Sequence, residues 1–199
     1  MTNIYIEARN KNTSEYVFVE SLLRYLGIDD ALYQILPVNG KDNLKHMQVQ
    51  FMQNTLLGGK NIIIFDADTP QTKGGYGARR DEIYQVLKDN GMIAEDLFLF
   101  PNNQDDGMFE NLLEKLMLKE THKKWVDCYS DYEKCLGEDY LSPNLKGKLF
   151  TYISSQKDLS NSKRKKLGQG QWLFEDKRFW DFDNVYLDSL KRFLLEHVG

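Results

Sequence analysis

Several features that define common protein classes are scarce in this chain of 199 residues. It contains only two cysteines and four prolines, and no apolar run approaches the roughly 18 residues that a membrane span requires. The first residues, MTNIYIEARN, lack the basic start and the apolar centre of a signal peptide. We therefore expect a cytoplasmic protein that makes no membrane contact.

The two cysteines do not form a recognisable metal site. Cys128 and Cys135 lie seven residues apart in a stretch with a helical pattern. No second cysteine pair or histidine cluster accompanies them, so the tetrahedral ligand set of a structural zinc site is missing. We expect two reduced thiols that are buried or half-buried.

The charge of the chain restricts its partners only weakly. A formal net charge of -4 argues against binding of nucleic acid over the whole surface. One local basic patch remains, KRKK at 163–166, within a stretch (SNSKRKKLGQGQ) that we expect to be a mobile loop. Because a local patch suffices for contacts with phosphates, net charge does not decide the partner.

Residues 1–119 alternate between short apolar runs and amphipathic stretches. NIYIEA, YQILPVNG, NIIIFD and DLFLFP predict strands, and each is followed by a segment whose apolar residues have helical spacing. NIIIFD is apolar on both faces, as expected of a central parallel strand. The alternation predicts an α/β fold with a mostly parallel four-stranded sheet flanked by helices.

The pattern changes in residues 120–199, where we expect helices and no strand. All three tryptophans lie in this part, and WLFEDKRFWDFDNVY concentrates aromatic residues. These aromatics predict a core that anchors a helical C-terminal extension, 120–199, on the sheet domain, 1–119. The alternative is a surface on which nucleic-acid bases stack.

Acidic residues follow three of the four predicted strands. Since the carboxyl ends of parallel strands share one edge of a sheet, where ligands bind, these residues are expected to lie together. Asp66 and Asp68 would point the same way by strand alternation, and their repulsion requires a positive charge between them. Carboxylates from separate strands suit Mg²⁺ or Mn²⁺. The predicted metal ligands are Glu7, Asp66, Asp68, Asp106 and Glu110.

These acidic residues also have an ordinary structural interpretation. Asp105 and Asp106 would then cap the helix that follows them, and Glu7 would pair with Arg79 or Arg80.

The segment TKGGYGARR, after the third strand, is a candidate phosphate site. Its glycines allow close approach of a phosphate to backbone amides, and Lys73, Arg79 and Arg80 supply positive charge. The alternative is a flexible connection, with Arg79 and Arg80 at the start of a helix where one of them is a solvated surface residue.

The order of the acidic motifs carries a family resemblance. A glutamate after the first strand (Glu7), a D-x-D after a later strand (Asp66–Asp68) and P-N-N-x-x-D-G-x-x-E (Pro101–Glu110) together resemble the TOPRIM domain. More narrowly, the chain resembles small bacterial TOPRIM-like proteins related to OLD-family nucleases. The resemblance covers residues 1–119. It differs at Ala8, where the family usually has glycine.

The resemblance implies magnesium-dependent phosphoryl transfer on DNA or RNA. Asp66 and Asp68, with Glu7 or Glu110, would hold the ion, and Glu7 is the expected general base if it is not itself a ligand. Because OLD nucleases carry an ATPase domain and this chain has no G-x-x-x-x-G-K-[ST] loop, any ATP-driven step requires a separate ATPase partner.

Two other functions remain open. The first is a non-catalytic TOPRIM-like module that binds a metal, a nucleotide or a protein. The second is a phosphatase of the haloacid-dehalogenase type, in which Asp66 attacks phosphorus and Asp68 acts as acid and base. The position of IIIFDADT on the third strand argues against the second, since that family places its motif on the first strand.

Overall fold

The computed structural model of the protein describes all residues from 1 to 199. The strands are β1 (Thr2–Ile6), β2 (Tyr33–Pro37), β3 (Lys60–Asp66) and β4 (Asp96–Phe100). The helices are α1 (Ser14–Tyr25), α2 (Gln48–Leu56), α3 (Tyr76–Asp89), α4 (Phe109–Leu116), α5 (Lys123–Leu136), α6 (Leu145–Ser154), α7 (Asn161–Gly168) and α8 (Asp188–Val198). None of the helices combines the length and the apolar character that a bilayer crossing requires.

The four strands form one sheet in the order β2-β1-β3-β4, and every neighbouring pair is parallel. The predicted α/β fold with a parallel four-stranded sheet flanked by helices is therefore confirmed. The chain moves from β1 to β2 on one side and then returns to place β3 on the other side of β1. The sheet order thus reverses between β1 and β3.

The two faces of the sheet bury different sets of side chains, because successive strand residues point to opposite faces. Ile4, Ile62 and Ile64 belong to a core of 32 buried residues that includes side chains of α1, α4, α6 and α8. Ile63 and Phe65 belong to a smaller core of 12 residues under α2 and α3. The helices after residue 120 therefore enlarge the core on one face only.

The aromatic residues of the C-terminal part lie inside this larger core. Trp172, Phe174, Phe179 and Trp180 are buried and belong to the same cluster as the strand residues. The indole N–H of Trp180 donates to the carbonyl of Trp172 at 2.9 Å, so its polar atom is satisfied. The predicted aromatic anchor is confirmed.

Two expectations about the C-terminal part are wrong. The Lys-rich stretch forms α7 instead of a loop, because Ser160 caps the helix by accepting the N–H of Lys163 and Leu167 is buried. Cys128 and Cys135 are exposed. Their helix, α5, buries only Tyr129 among its residues, so a spacing of seven on this helix does not imply burial.

Candidate active site at the carboxyl ends of the strands

Two of the predicted site residues lie side by side where the sheet order reverses. Glu7 follows the last residue of β1, and Asp66 is the last residue of β3, the strand next to β1. In open α/β sheets, ligands bind in the crevice outside the carboxyl ends of the strands at this reversal. The topology therefore gives these two carboxylates the position that a ligand site requires.

Backbone groups hold the Glu7 side chain across the crevice. Its Oε2 accepts the N–H of Asp66 and its Oε1 accepts the N–H of Lys41, both at 3.2 Å. No lysine or arginine forms an ion pair with Glu7, so its predicted pairing with Arg79 or Arg80 is absent. Burial raises the pKa of Glu7, the hydrogen bond from the Asp66 amide opposes this effect, and the charge of Asp68 adds to it.

The Asp66 side chain is turned toward α4. Its Oδ1 accepts the N–H of Phe109, the first residue of α4, at 2.8 Å. Burial raises the pKa of Asp66 well above its usual range, and the charges of Glu7 and Glu110 raise it further. Because no cationic side chain pairs with Asp66, its charged form is costly in this environment.

Asp68 faces away from Asp66, so the expectation that the two aspartates point the same way is wrong. The strand ends at Asp66, and Asp68 has a φ of 59°, in the left-handed region. Its carboxylate pairs with Arg79 of α3, which lies on the opposite face of the sheet from α4. At Asp68, therefore, an arginine supplies the positive charge that the D-x-D motif requires.

Arg79 is an interior residue that joins several charged groups. It is 1% exposed, and besides Asp68 it contacts Glu82 at 2.5 Å. Glu82 also contacts Lys41, whose backbone N–H holds Glu7. Arg79 thus fixes the orientation of Asp68, and its predicted contact with phosphate remains a prediction.

The other two predicted phosphate ligands lie on the surface. Lys73 is exposed at the carboxyl edge of the sheet and forms no ion pair. Arg80 is exposed, pairs with Asp81 at 3.2 Å and lies over the ring of Tyr76. Lys73 is therefore free to approach a ligand at this edge, whereas Arg80 would exchange its exposed pairing with Asp81 for the ligand.

The acidic residues after β4 make different contacts. Asp106 accepts the N–H of Tyr76 at 2.7 Å. It therefore bonds to the first residue of α3 and does not cap α4, the helix that follows Asp106 in the chain. Asp105 accepts the side-chain N–H of Asn102. Glu110 is buried in the first turn of α4, where burial raises its pKa, and its only cationic neighbour is Lys146 at 3.8 Å.

One residue of this edge was missed by the sequence interpretation. A cavity of about 30 Å³ borders Glu7, Asp66 and also Glu15, in the first turn of α1. A cavity of this size accommodates a water molecule or a small ion. The sequence could have indicated Glu15 by its position at the start of the helix that follows β1, because that helix end lies at the same sheet edge.

The Glu7–Asp66 pair fits a magnesium ion that is held by few protein ligands. No group of three or more His, Cys, Asp or Glu side chains is arranged to hold a metal ion. The five metal ligands inferred from the sequence are therefore not seen as one preformed cluster, and this ligand set stays a prediction. Magnesium, however, usually keeps several waters and takes one or two carboxylates together with substrate phosphates. Asp66 Oδ2 accepts no hydrogen bond, which leaves this oxygen available at the cavity.

Asp66→Asn is expected to raise the melting temperature at neutral pH. Because the pKa of Asp66 in the folded protein lies above its unfolded value of about 3.9, wild-type stability falls as pH rises from that value through the raised pKa. Asparagine keeps an oxygen for the Phe109 N–H but carries no charge. Each kcal/mol regained raises the melting temperature by about 2–4 °C in a chain of this size.

Thermal melts between about pH 4 and pH 8 without metal measure this effect. The difference between variant and wild type should shrink toward the acid end. Asp139→Asn, which alters an exposed carboxylate without an ion pair, is the control. Parallel curves for wild type and Asp66→Asn would show that Asp66 carries no such cost.

The fold and this edge define a parallel α/β protein with an acidic crevice at the reversal of its sheet. Residues 13–198 match a family described as a protein of unknown function (DUF3226), and the chain belongs to this family. No curated protein matches the chain. No solved structure matches it either.

Proposed function

We propose that this protein is a magnesium- or manganese-dependent phosphodiesterase that acts on nucleic acid. The proposal is carried by the position of Glu7 and Asp66, two half-buried carboxylates without ion-pair partners, at the reversal of the sheet order. The order of the acidic motifs, which resembles that of TOPRIM domains, supports the same chemistry.

The residues of the crevice have distinct roles in this proposal. Glu7 and Asp66 hold the divalent ion, with Glu110 and Asp106 at the same edge. When bound, the ion lowers the pKa of a water molecule and stabilises negative charge on the attacked phosphate. The general base is Glu7 only if Asp66 and its neighbours hold the ion without it, and in that case the raised pKa of Glu7 makes it a better proton acceptor than an ordinary carboxylate.

Positive charge for the substrate comes from Lys73, in the loop between β3 and α3, and from Arg80, near the start of α3. Both side chains are exposed and long enough to contact phosphate oxygens. Arg79 acts indirectly, because it holds Asp68 in place from inside the protein.

One observation favours a second candidate, a binding module without catalysis. The carboxylate of Asp68 is already paired with Arg79, so it is less available to a metal than the motif implies. Such a module would bind a metal with a nucleotide or a protein at the same crevice.

Incubation of the purified protein with labelled single- and double-stranded DNA and RNA separates the two candidates. We expect cleavage of at least one of these nucleic acids with magnesium or manganese and none with EDTA. If no nucleic acid is cleaved under any of these conditions, the binding-module function replaces the phosphodiesterase.

A further inference from the structure

A second concave surface lies between α1 and the C-terminal part of the chain. It is a cleft of about 890 Å³. One wall consists of α1 and the loop before it, which follows Glu7 directly and contributes Lys11 and Asn12. The other wall consists of α7 and residues 171–178. The cleft shares no lining residue with the cavity at Glu7 and Asp66, but Lys11 lies only four residues after Glu7 in the chain.

All three acidic groups that line this cleft form ion pairs. Asp176 pairs with Lys163 and Arg178, and hydrogen bonds, above all from Arg178, hold the pKa of Asp176 well below its usual range. The remaining two acidic residues, Glu20 and Glu175, both pair with Arg24, at 3.0 and 2.8 Å.

Three cations of the cleft have no such partner. Lys11, Lys166 and Lys177 are exposed and form no ion pair with any carboxylate of the chain. The protein as a whole has a formal net charge of -4, so this concentration of unpaired positive charge is a local exception. A cleft of this kind attracts a polyanion.

An aromatic pocket adjoins the cleft. It has a volume of about 400 Å³, shares Phe174, Glu175 and Lys177 with the cleft, and is also lined by Asp181 and Asp183. Tyr25 and Phe182 line it, are at least partly exposed and meet edge to face with 5.5 Å between ring centroids. The hydroxyl of Tyr25 donates to Asp183, and Lys191 lies over the Tyr25 ring at 5.9 Å from its centroid. A positively charged groove beside aromatic side chains is the combination with which proteins bind single-stranded nucleic acid.

We propose that the cleft binds a single strand of nucleic acid. The phosphates lie along Lys11, Lys166 and Lys177, and an unpaired base enters the pocket at Tyr25 and Phe182. A duplex cannot place a base in the pocket, since its bases are paired and stacked. The inference rests on the proposed function in one respect, namely that the bound strand is the substrate that reaches Glu7 and Asp66.

Fluorescence anisotropy in EDTA tests the cleft independently of cleavage. The probe is a labelled oligonucleotide of about 12 nucleotides, within the range of site sizes of such grooves. We expect Lys166→Gln/Lys177→Gln to weaken binding about tenfold and to lower the salt dependence of log K by about 1.4, since each phosphate contact of a single strand contributes about 0.7. The matched control is Lys157→Gln/Lys165→Gln, which removes the same charge outside the cleft, one of its lysines on the same helix.

The aromatic pocket has its own test. Tyr25→Leu should weaken single-strand binding about tenfold, in the range of one lost stacking contact, while leaving the salt dependence unchanged. A duplex of the same sequence should bind less tightly than the single strand and should be insensitive to Tyr25→Leu.

The outcomes separate this inference from the proposed function. Equal losses of binding affinity in the two double-lysine variants, or no binding by wild type, would contradict single-strand binding in the cleft even if metal-dependent cleavage occurs. Tighter binding of the duplex would overturn it as well. Selective loss in Lys166→Gln/Lys177→Gln without any cleavage by wild type would support the cleft and contradict the phosphodiesterase.

Discussion

Asp66→Ala is expected to remove metal-dependent cleavage, with a rate at least about a thousandfold lower than that of wild type. In the proposed mechanism the metal would stabilise the developing charge by several kcal/mol, and each 1.36 kcal/mol corresponds to a factor of about ten in rate. Asp66 contributes to the cavity a carboxylate oxygen, Oδ2, that accepts no hydrogen bond. Its loss therefore removes the best-placed ligand for the ion.

Two further measurements make this result specific. Asp105→Ala, an exposed carboxylate at the same edge, should cleave at the wild-type rate. Binding of nucleic acid by Asp66→Ala in EDTA should be equal to or tighter than that of wild type, because a negative charge near the phosphates is removed. Cleavage by Asp66→Ala at a rate near that of wild type would eliminate Asp66 as a ligand.

Arg79→Met is expected to lower the free energy of unfolding by about 3 kcal/mol, the lower end of the range for a broken buried ion pair. The arginine side chain is 1% exposed and contacts both Asp68 and Glu82. Removing it leaves Asp68 without a counter-charge. The loss is not larger because the side chains of Asp68 and Glu82 keep 24% and 43% of their surface exposed.

Urea denaturation measures this loss, and a second variant identifies its cause. In Arg79→Met/Asp68→Asn the unpaired carboxylate is absent, so this double variant should be more stable than Arg79→Met alone. Arg79→Lys keeps the charge without the planar guanidinium and should lie between wild type and Arg79→Met. A denaturation midpoint of Arg79→Met equal to that of wild type would contradict the assigned role of Arg79.

The sheet could be predicted from the sequence because its signals are local and repeated. Each strand is a short apolar run, each is followed by a helical pattern, and NIIIFD carries the apolar character of a central strand on both faces. Alternation of this kind admits few topologies other than a parallel sheet. The positions of Glu7 and Asp66 at the strand ends followed from the same reasoning.

The orientation of individual site side chains could not be predicted in this way. The chain leaves β3 at Asp66, and the left-handed conformation at Asp68 turns the second aspartate toward α3. Likewise, periodicity did not distinguish Arg79, which is interior, from Arg80, which is exposed. Both outcomes depend on contacts between distant segments, which local sequence patterns do not encode.

The presence of a divalent ion at Glu7 and Asp66 is tested most directly by Mn²⁺ binding, followed by electron paramagnetic resonance of the free ion. Wild type should bind Mn²⁺ saturably, and excess Mg²⁺ should displace it. Glu7→Gln/Asp66→Asn should lose this binding, whereas the control Asp105→Asn/Asp139→Asn, with the same change in net charge, should retain it. Equal Mn²⁺ binding by wild type and Glu7→Gln/Asp66→Asn would contradict a metal site at the reversal of the sheet.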